Sequence, residues 1–196
     1  MLEPFSKRAQ PWERHGTALR QLAGVSPGAL LDPWQLAPKV GLRVMDGDTA
    51  LALLPEEDRL HLCGPASRSW SGGVLPLPLP DGSRLCILNP RHQKRRNKIT
   101  LMEEITHSFL HHKPTKITLR GGTVEVRDYD ATREAEAYGA GAAALIPWTL
   151  LFRLLNQGTN IPELAERFEV SEELAEYRIK ITGAYRLFQA RQRYTA

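Results

Sequence analysis

Residues 102–112 read Met-Glu-Glu-Ile-Thr-His-Ser-Phe-Leu-His-His, and their acids and imidazoles recur at helical intervals. A helix turns about 100° per residue. Measured from Glu103, His107 lies about 40° around the axis, His111 about 80° and Glu104 about 100°, with Thr100 inside the same arc. Leu101, Met102, Ile105 and Phe109 fall on the opposite side and form an apolar face suited to a core. Two carboxylates and two imidazoles thus share one side of a helix anchored from behind. In the H-E-x-x-H pattern, two imidazoles on one helix face hold a metal ion and the glutamate serves as general base. Here the first histidine of that pattern is replaced by Glu103. The simpler reading is a solvated face on which Glu and His pair at i, i+4.

A second helix bears on the choice. In REAEAYGAGAAALIP (133–147), Glu136 shares its stripe with Gly139, Ala140, Ala143 and Ala144. Residues this small let another helix come close. A glutamate projecting from such a seam must find partners or supply a third ligand to a metal. Glu134 points nearly the opposite way, so the two acids are not interchangeable.

The elements that must position these groups follow from composition and pattern. The chain has 196 residues, 42% hydrophobic and 24% charged, which fits one soluble α+β domain with its own core. A structural metal is unnecessary at that size, so a metal would serve chemistry. The spacing predicts a short helix over 12–24 ending at Gly24, then a short helix passing into a strand over 32–45, with Asp32 as cap and Pro33 in the first turn. Residues 49–55 are apolar and fit either a strand or a helix. Prolines 76, 78 and 80 restrict their segment to an edge strand or a polyproline-like extension. RLCILN (84–89) reads as a buried strand. The helix carrying the acids and imidazoles spans roughly 97–112, and TKITLRGGTVEVRDYD (115–130) reads as a hairpin around Gly121-Gly122. Another helix covers 131–146, and helices fill the remainder with a break at 156–162.

Charge and cysteine usage limit the partners. The net charge is +4, and part of it comes from RHQKRRNK at 91–98, a solvated approach to the helix or an anion contact. Cys63 and Cys86 are consistent with a reducing compartment. The first residues have no apolar core of a secretory signal, and the uncharged run 137–152 is too short and too Gly-rich for a membrane span. The expectation is a cytoplasmic protein without membrane partners.

Four segments, in order, resemble the ImmA/IrrE-type zincin-like metallopeptidases. DPWQLAPKVGLRV is similar to the family's leading helix and first strand. LCILNPRHQKRRNKITLMEEITHSFLHH resembles its strand, Asn-containing loop, arginine-bearing approach and active helix. EAEAYGAGAAALIP resembles its Glu-Ala-rich helix closing on proline, and IPELAERFEVSEELAEYRI its C-terminal helical segment. The resemblance implies a zincin-like core over 1–155, with a small, mostly antiparallel sheet packed on the active-site helix. A C-terminal helical segment, 156–196, would pack on the same domain. It also implies His107 and Glu136 as metal ligands, Glu104 as general base and His111, with Thr100, in a supporting role. Glu103 stands where the family has histidine, and this E-E-x-x-H form resembles one branch of the family.

A Glu103–His107–Glu136 set can hold zinc, since zinc accepts carboxylate oxygen at about 2.0–2.2 Å. Two anionic ligands leave zinc a weaker acidifier of water, and the harder set moves preference toward manganese or another divalent ion. Without metal, the clustered acids repel one another and one holds a proton. The expected activity is hydrolysis of a protein or peptide, with a transcriptional regulator as the partner the resemblance suggests. The alternative is a catalytically silent module gripping a regulator in the same groove. DNA binding by the helix-turn-helix-like segment ELAERFEVSEELAEYRIK is disfavoured, because Glu172, Glu173 and Glu176 on its second helix would be repelled by phosphate.

Overall fold

The computed structural model describes residues 3–112, 116–120, 123–127, 130–185, 188 and 189. The fold is α+β. A first helix, α1 (Ala9–Ala23), ends at Gly24, which takes the left-handed conformation needed to close it. Asp32 accepts a hydrogen bond from the Trp34 amide to start α2 (Pro33–Leu36), which runs through a 3-10 turn into β1 (Leu42–Met45). The ambiguous apolar stretch is helical, as α3 (Gly47–Ala52). A helix not anticipated from sequence, α4 (Glu56–Cys63), follows. It has no buried residue and Leu60 is largely exposed, so no apolar periodicity announced it.

Strands β2 (Gly72–Pro78) and β3 (Arg84–Leu88) complete a three-stranded sheet ordered β1-β3-β2. β1 runs parallel to β3, and β2 pairs antiparallel to it with an irregularity between Val74 and Pro78. β2 is therefore an edge strand, as its prolines require. A separate antiparallel pair joins β4 (Lys116–Arg120) and β5 (Thr123–Arg127). The Gly121-Gly122 turn expected between them lies outside the described residues. The three-stranded sheet is mixed, with one parallel and one antiparallel pairing, where a mostly antiparallel sheet was expected; the separate β4–β5 pair is antiparallel.

The helix of the acids and imidazoles, α5 (Lys94–Phe109), starts and ends about three residues earlier than the expected 97–112, so most of the basic run lies within it. Leu101, Met102 and Ile105 are fully buried, so its back face anchors it as the pattern requires. α6 (Ala131–Leu145) is capped by Asp130 and lies between α1 and α5. A β-carbon at Gly139 would sit 2.3 Å from Trp12 of α1, and one at Gly16 of α1 would sit 2.7 Å from the Ala144 nitrogen. On the other side, a β-carbon at Gly141 would sit 3.2 Å from the Met102 backbone of α5. Both flanking helices thus approach α6 as closely as its small residues permit.

Helices α7 (Trp148–Asn156), α8 (Ile161–Phe168) and α9 (Glu172–Ile181) follow. Leu164, Phe168, Leu174 and Ile179 join the same apolar cluster as Leu42, Met102 and Ile105. No single described helix is long and apolar enough to cross a membrane.

Polar pegs fix the break between α6 and α7. Arg178, fully buried on α9, donates through Nε to the Ile146 carbonyl at 2.9 Å and through Nη2 to Glu13 of α1 at 2.6 Å. The other oxygen of Glu13 accepts the Trp148 amide at the start of α7. Arg20 of α1 donates to the Ala144 carbonyl at 2.9 Å. The free amide and carbonyl groups of a helix break are thereby matched to buried charge.

Breaking a buried pair leaves an uncompensated charge. Glu13→Ala is expected to lower unfolding free energy by about 3–5 kcal/mol. Replacing Glu13 and Arg178 together with Leu and Met should recover only part of that loss, because the Trp148 amide and the Ile146 carbonyl then lose their partners, as read by urea denaturation.

Candidate metal centre

The helical arc of α5 delivers Glu103 and His107 to one place, and the structure adds a carboxylate from α6. One ligand atom each from Glu103, His107 and Glu134 lie within 4.8 Å of one another, the one such group of acids and histidines among the described residues. His107 Nε2 is 3.3 Å from Glu134 Oε2. Two ligands on a tetrahedral centre with bonds of about 2.1 Å are about 3.4 Å apart, so the spacing suits a metal ion. The residue types, two carboxylates and one imidazole, suit a divalent cation as well.

The third member of this group is Glu134, where the sequence pointed to Glu136. The small-residue stripe that Glu136 shares with Gly139, Ala143 and Ala144 faces α1, not α5. Gly141, on the stripe of Glu134, is the position that meets Met102 of α5. Glu136 instead lies 3.3 Å from His112 Nε2 and 3.5 Å from His15 Nε2 of α1. The two glutamates do face different ways, as their two-residue separation demands.

His111, expected to support the centre, is exposed with a φ of 53°, and His112 takes the inward position. The left-handed turn at His111 folds the chain back beneath α5, where the His112 amide donates to the His107 carbonyl at 3.0 Å. The two rings meet edge to face, Nδ1 to Nδ1 at 3.0 Å. Thr100 is buried and its hydroxyl donates to the Arg96 carbonyl at 3.3 Å. Beyond Glu134 and His112, sequence reasoning also passed over Tyr138. Its hydroxyl stays protonated, its pKa pushed to about 12 by burial, Tyr177 and the charge of Glu103.

Electrostatics mark the cluster as crowded with acid. Burial, with the charges of Glu104 and Glu134, raises Glu103 to about 7. Burial and Glu134 raise Glu104 to about 7 as well, against the pull of Arg84 on β3. His107 is shifted down by burial and His112 despite Glu134 beside it, which favours the neutral imidazole that a metal needs. Cys86, buried on β3, is driven to about 12 by burial and the charge of Glu104, so its thiol is no nucleophile.

A groove of about 1020 Å³ opens beside Glu103. Its walls are the approach to α5, Tyr138 of α6, Ser71 ahead of β2 and the start of α9. The basic run lines it partly and is partly spent on structure. Lys98 Nζ donates to the Phe168 carbonyl at the end of α8, and Arg95 pairs with Glu166. Glu169 closes α8 with a φ of 52°, and Glu172, Glu173 and Glu176 of α9 are exposed.

A carboxyl whose folded pKa is raised adds stability below its unfolded pKa and loses it as pH rises through the folded value. For Glu104 that window runs from 4.5 to about 7. In metal-free protein, Glu104→Gln is therefore expected to stabilise the fold by about 2 kcal/mol near pH 8.5. The gain should vanish near pH 4.5, as followed by thermal denaturation across pH.

Comparison with known proteins places the chain in a family. No curated protein matches the chain. The IrrE N-terminal-like domain, Peptidase_M78, matches residues 71–180, a span that contains β2, β3, α5, α6 and the helices after them. The chain belongs to this metallopeptidase family.

Proposed function

We propose that the protein is a metal-dependent peptidase of the ImmA/IrrE type, acting in the cytoplasm on a regulatory protein. Glu103, His107 and Glu134 would hold the ion, and Glu104 would be the general base. The observation that carries this reading is the meeting of those three ligand atoms within 4.8 Å, on two helices locked together by small residues. Zinc is one candidate, and the two-carboxylate set favours manganese more than two imidazoles would. The E-E-x-x-H form is then a working variant in which the ligand changed and the face did not.

A divalent ion held there by Glu103, His107 and Glu134 would supply Lewis acidity for hydrolysis. The chain's own groups do the rest. Glu104 is half-buried beside Glu103, and its raised basicity suits it to accept the proton of the water and return it to the leaving amine. His107 and the carboxylates orient the centre. The groove seats the peptide, with edge strand β2 beginning next to Ser71 on its rim. The helices from 156 onward would pack on the 1–155 domain and roof that groove with the start of α9.

A second reading rests on the crowding of Glu103, Glu104 and Glu134. The same groove would hold a regulator without cutting it, if the acids keep their shared protons in place of a metal. DNA recognition by α9 is disfavoured by its exposed Glu172, Glu173 and Glu176.

Metal analysis of the purified protein, loaded with zinc or manganese and desalted, is expected to give about one equivalent. Glu134→Ala should lose it. A wild-type protein without metal after loading would end the peptidase reading and leave the binding module. Glu104→Gln is expected to keep the metal and cleave a peptide library at least about 100-fold more slowly.

A further inference from the structure

One stripe of α5 runs from the candidate metal centre along the groove. At about 100° per residue, Arg96, Thr100, Glu103 and His107 fall within an arc of about 60°. The first three of them line the groove. Arg96 lies seven residues before Glu103, about 10.5 Å along the helix axis. An extended peptide covers that distance in about three residues. A peptide cut at the centre and lying along α5 would therefore bring a side chain about three residues from the scissile bond to Arg96.

The charges of the walls differ in how far they are already answered. Arg91, His92, Arg95 and Arg96 line the side of α5, and Glu172 and Glu173 the side of α9. Arg95 is paired with Glu166 of α8. His92 is shifted down by burial and by the charge of Arg96, which keeps it neutral at pH 7. Arg91 and Arg96 are exposed and form no ion pair among the described residues; Arg96 Nη2 reaches the Ser71 hydroxyl at 3.5 Å. The acids opposite stand in the first turn of α9, where the helix N-terminus offsets negative charge. Glu173 is held below the usual carboxylate range by its own amide and the Ser171 hydroxyl, with Arg96 contributing least. Glu103 belongs to the proposed centre. Two guanidinium groups are thus left over, and a guanidinium fork matches a carboxylate.

We infer that Arg91 and Arg96 form a subsite for an acidic side chain, so that the groove selects a peptide with Asp or Glu about three residues from the scissile bond. The inference rests on the peptidase reading of the same groove and names its preferred substrate. Nucleic acid fits less well. A polyanion would carry phosphates past Glu172 and Glu173 too, whereas a peptide sets one carboxylate against the arginines.

The test uses the full chain loaded with zinc and a randomised peptide library, with cleaved bonds read by mass spectrometry. Asp and Glu are expected to be enriched at one position about three residues from the cut. In a peptide chosen from that set, changing this Glu to Gln should lower kcat/KM about three- to tenfold. Arg96→Lys should keep the preference, Arg96→Gln should weaken it, and Arg91→Glu with Arg96→Glu should turn it toward Lys and Arg. Absence of an acidic preference in the wild-type protein, or a preference the double variant leaves intact, would overturn the inference. If the wild-type protein takes no metal and cuts nothing, the peptidase reading fails alone, and binding decides the subsite. Acetylated Ala-Ala-Glu-Ala-Ala amide, titrated into metal-free protein, should then shift the Nε–H signals of Arg91 and Arg96, and its Gln counterpart should not. Equal shifts with both peptides would overturn the inference. A short oligothymidylate that moves the same signals at lower concentration than the Glu peptide would overturn it in favour of nucleic acid.

Discussion

The close packing of α6 between α1 and α5 governs the rest of the structure. Gly139 lets the ring of Trp12 lie almost on the α6 backbone, and Gly141 does the same for Met102. A helix stripped to Ala and Gly on two sides gives up apolar side-chain area, and it gains two near neighbours in return. That exchange works because α1 and α5 supply the large side chains, Trp12, Leu19, Leu101, Met102 and Ile105, to the common core. The buried Glu13–Arg178 pair and Arg20 then hold the far end of α6 at its junction with α7. Position along and around α6 is thereby fixed, and with it the reach of its two glutamates.

From that geometry the chemistry divides. Glu134, on the α5 side, joins Glu103 and His107. Glu136, on the α1 side, joins His112 and His15. Packing so many acids against a buried helix face is costly unless protons or a cation neutralise them. The raised values of Glu103 and Glu104 express that cost in the metal-free protein. The same features suit the cluster to a divalent ion, whose charge would relieve the repulsion.

Much of this was legible in the residues. The 3.6-residue period of α5 put Leu101, Met102 and Ile105 on one face, and that face is buried. The prolines of β2 marked it as an edge strand. The choice between Glu134 and Glu136 was not legible, since both stripes of α6 are made of small residues and nothing in the chain says which one faces α5. Ala137, Gly141 and Ala142 formed a second seam as good as the first. His112 was hidden by the positive φ of His111, a conformation uncommon for any residue with a side chain and not marked by a sequence pattern here. The basic run misled in part, because Lys98 is buried as a cap on the end of α8, which burial makes easier to deprotonate.

The central claim is that α5 and α6 together form a Glu-His-Glu metal centre. An anomalous difference map from zinc-loaded crystals tests it most directly. The account predicts one strong peak at about 2.0–2.2 Å from His107 Nε2 and from carboxylate oxygens of Glu103 and Glu134. A peak held by Glu136 in place of Glu134, or no peak at the centre in fully loaded crystals, would contradict it.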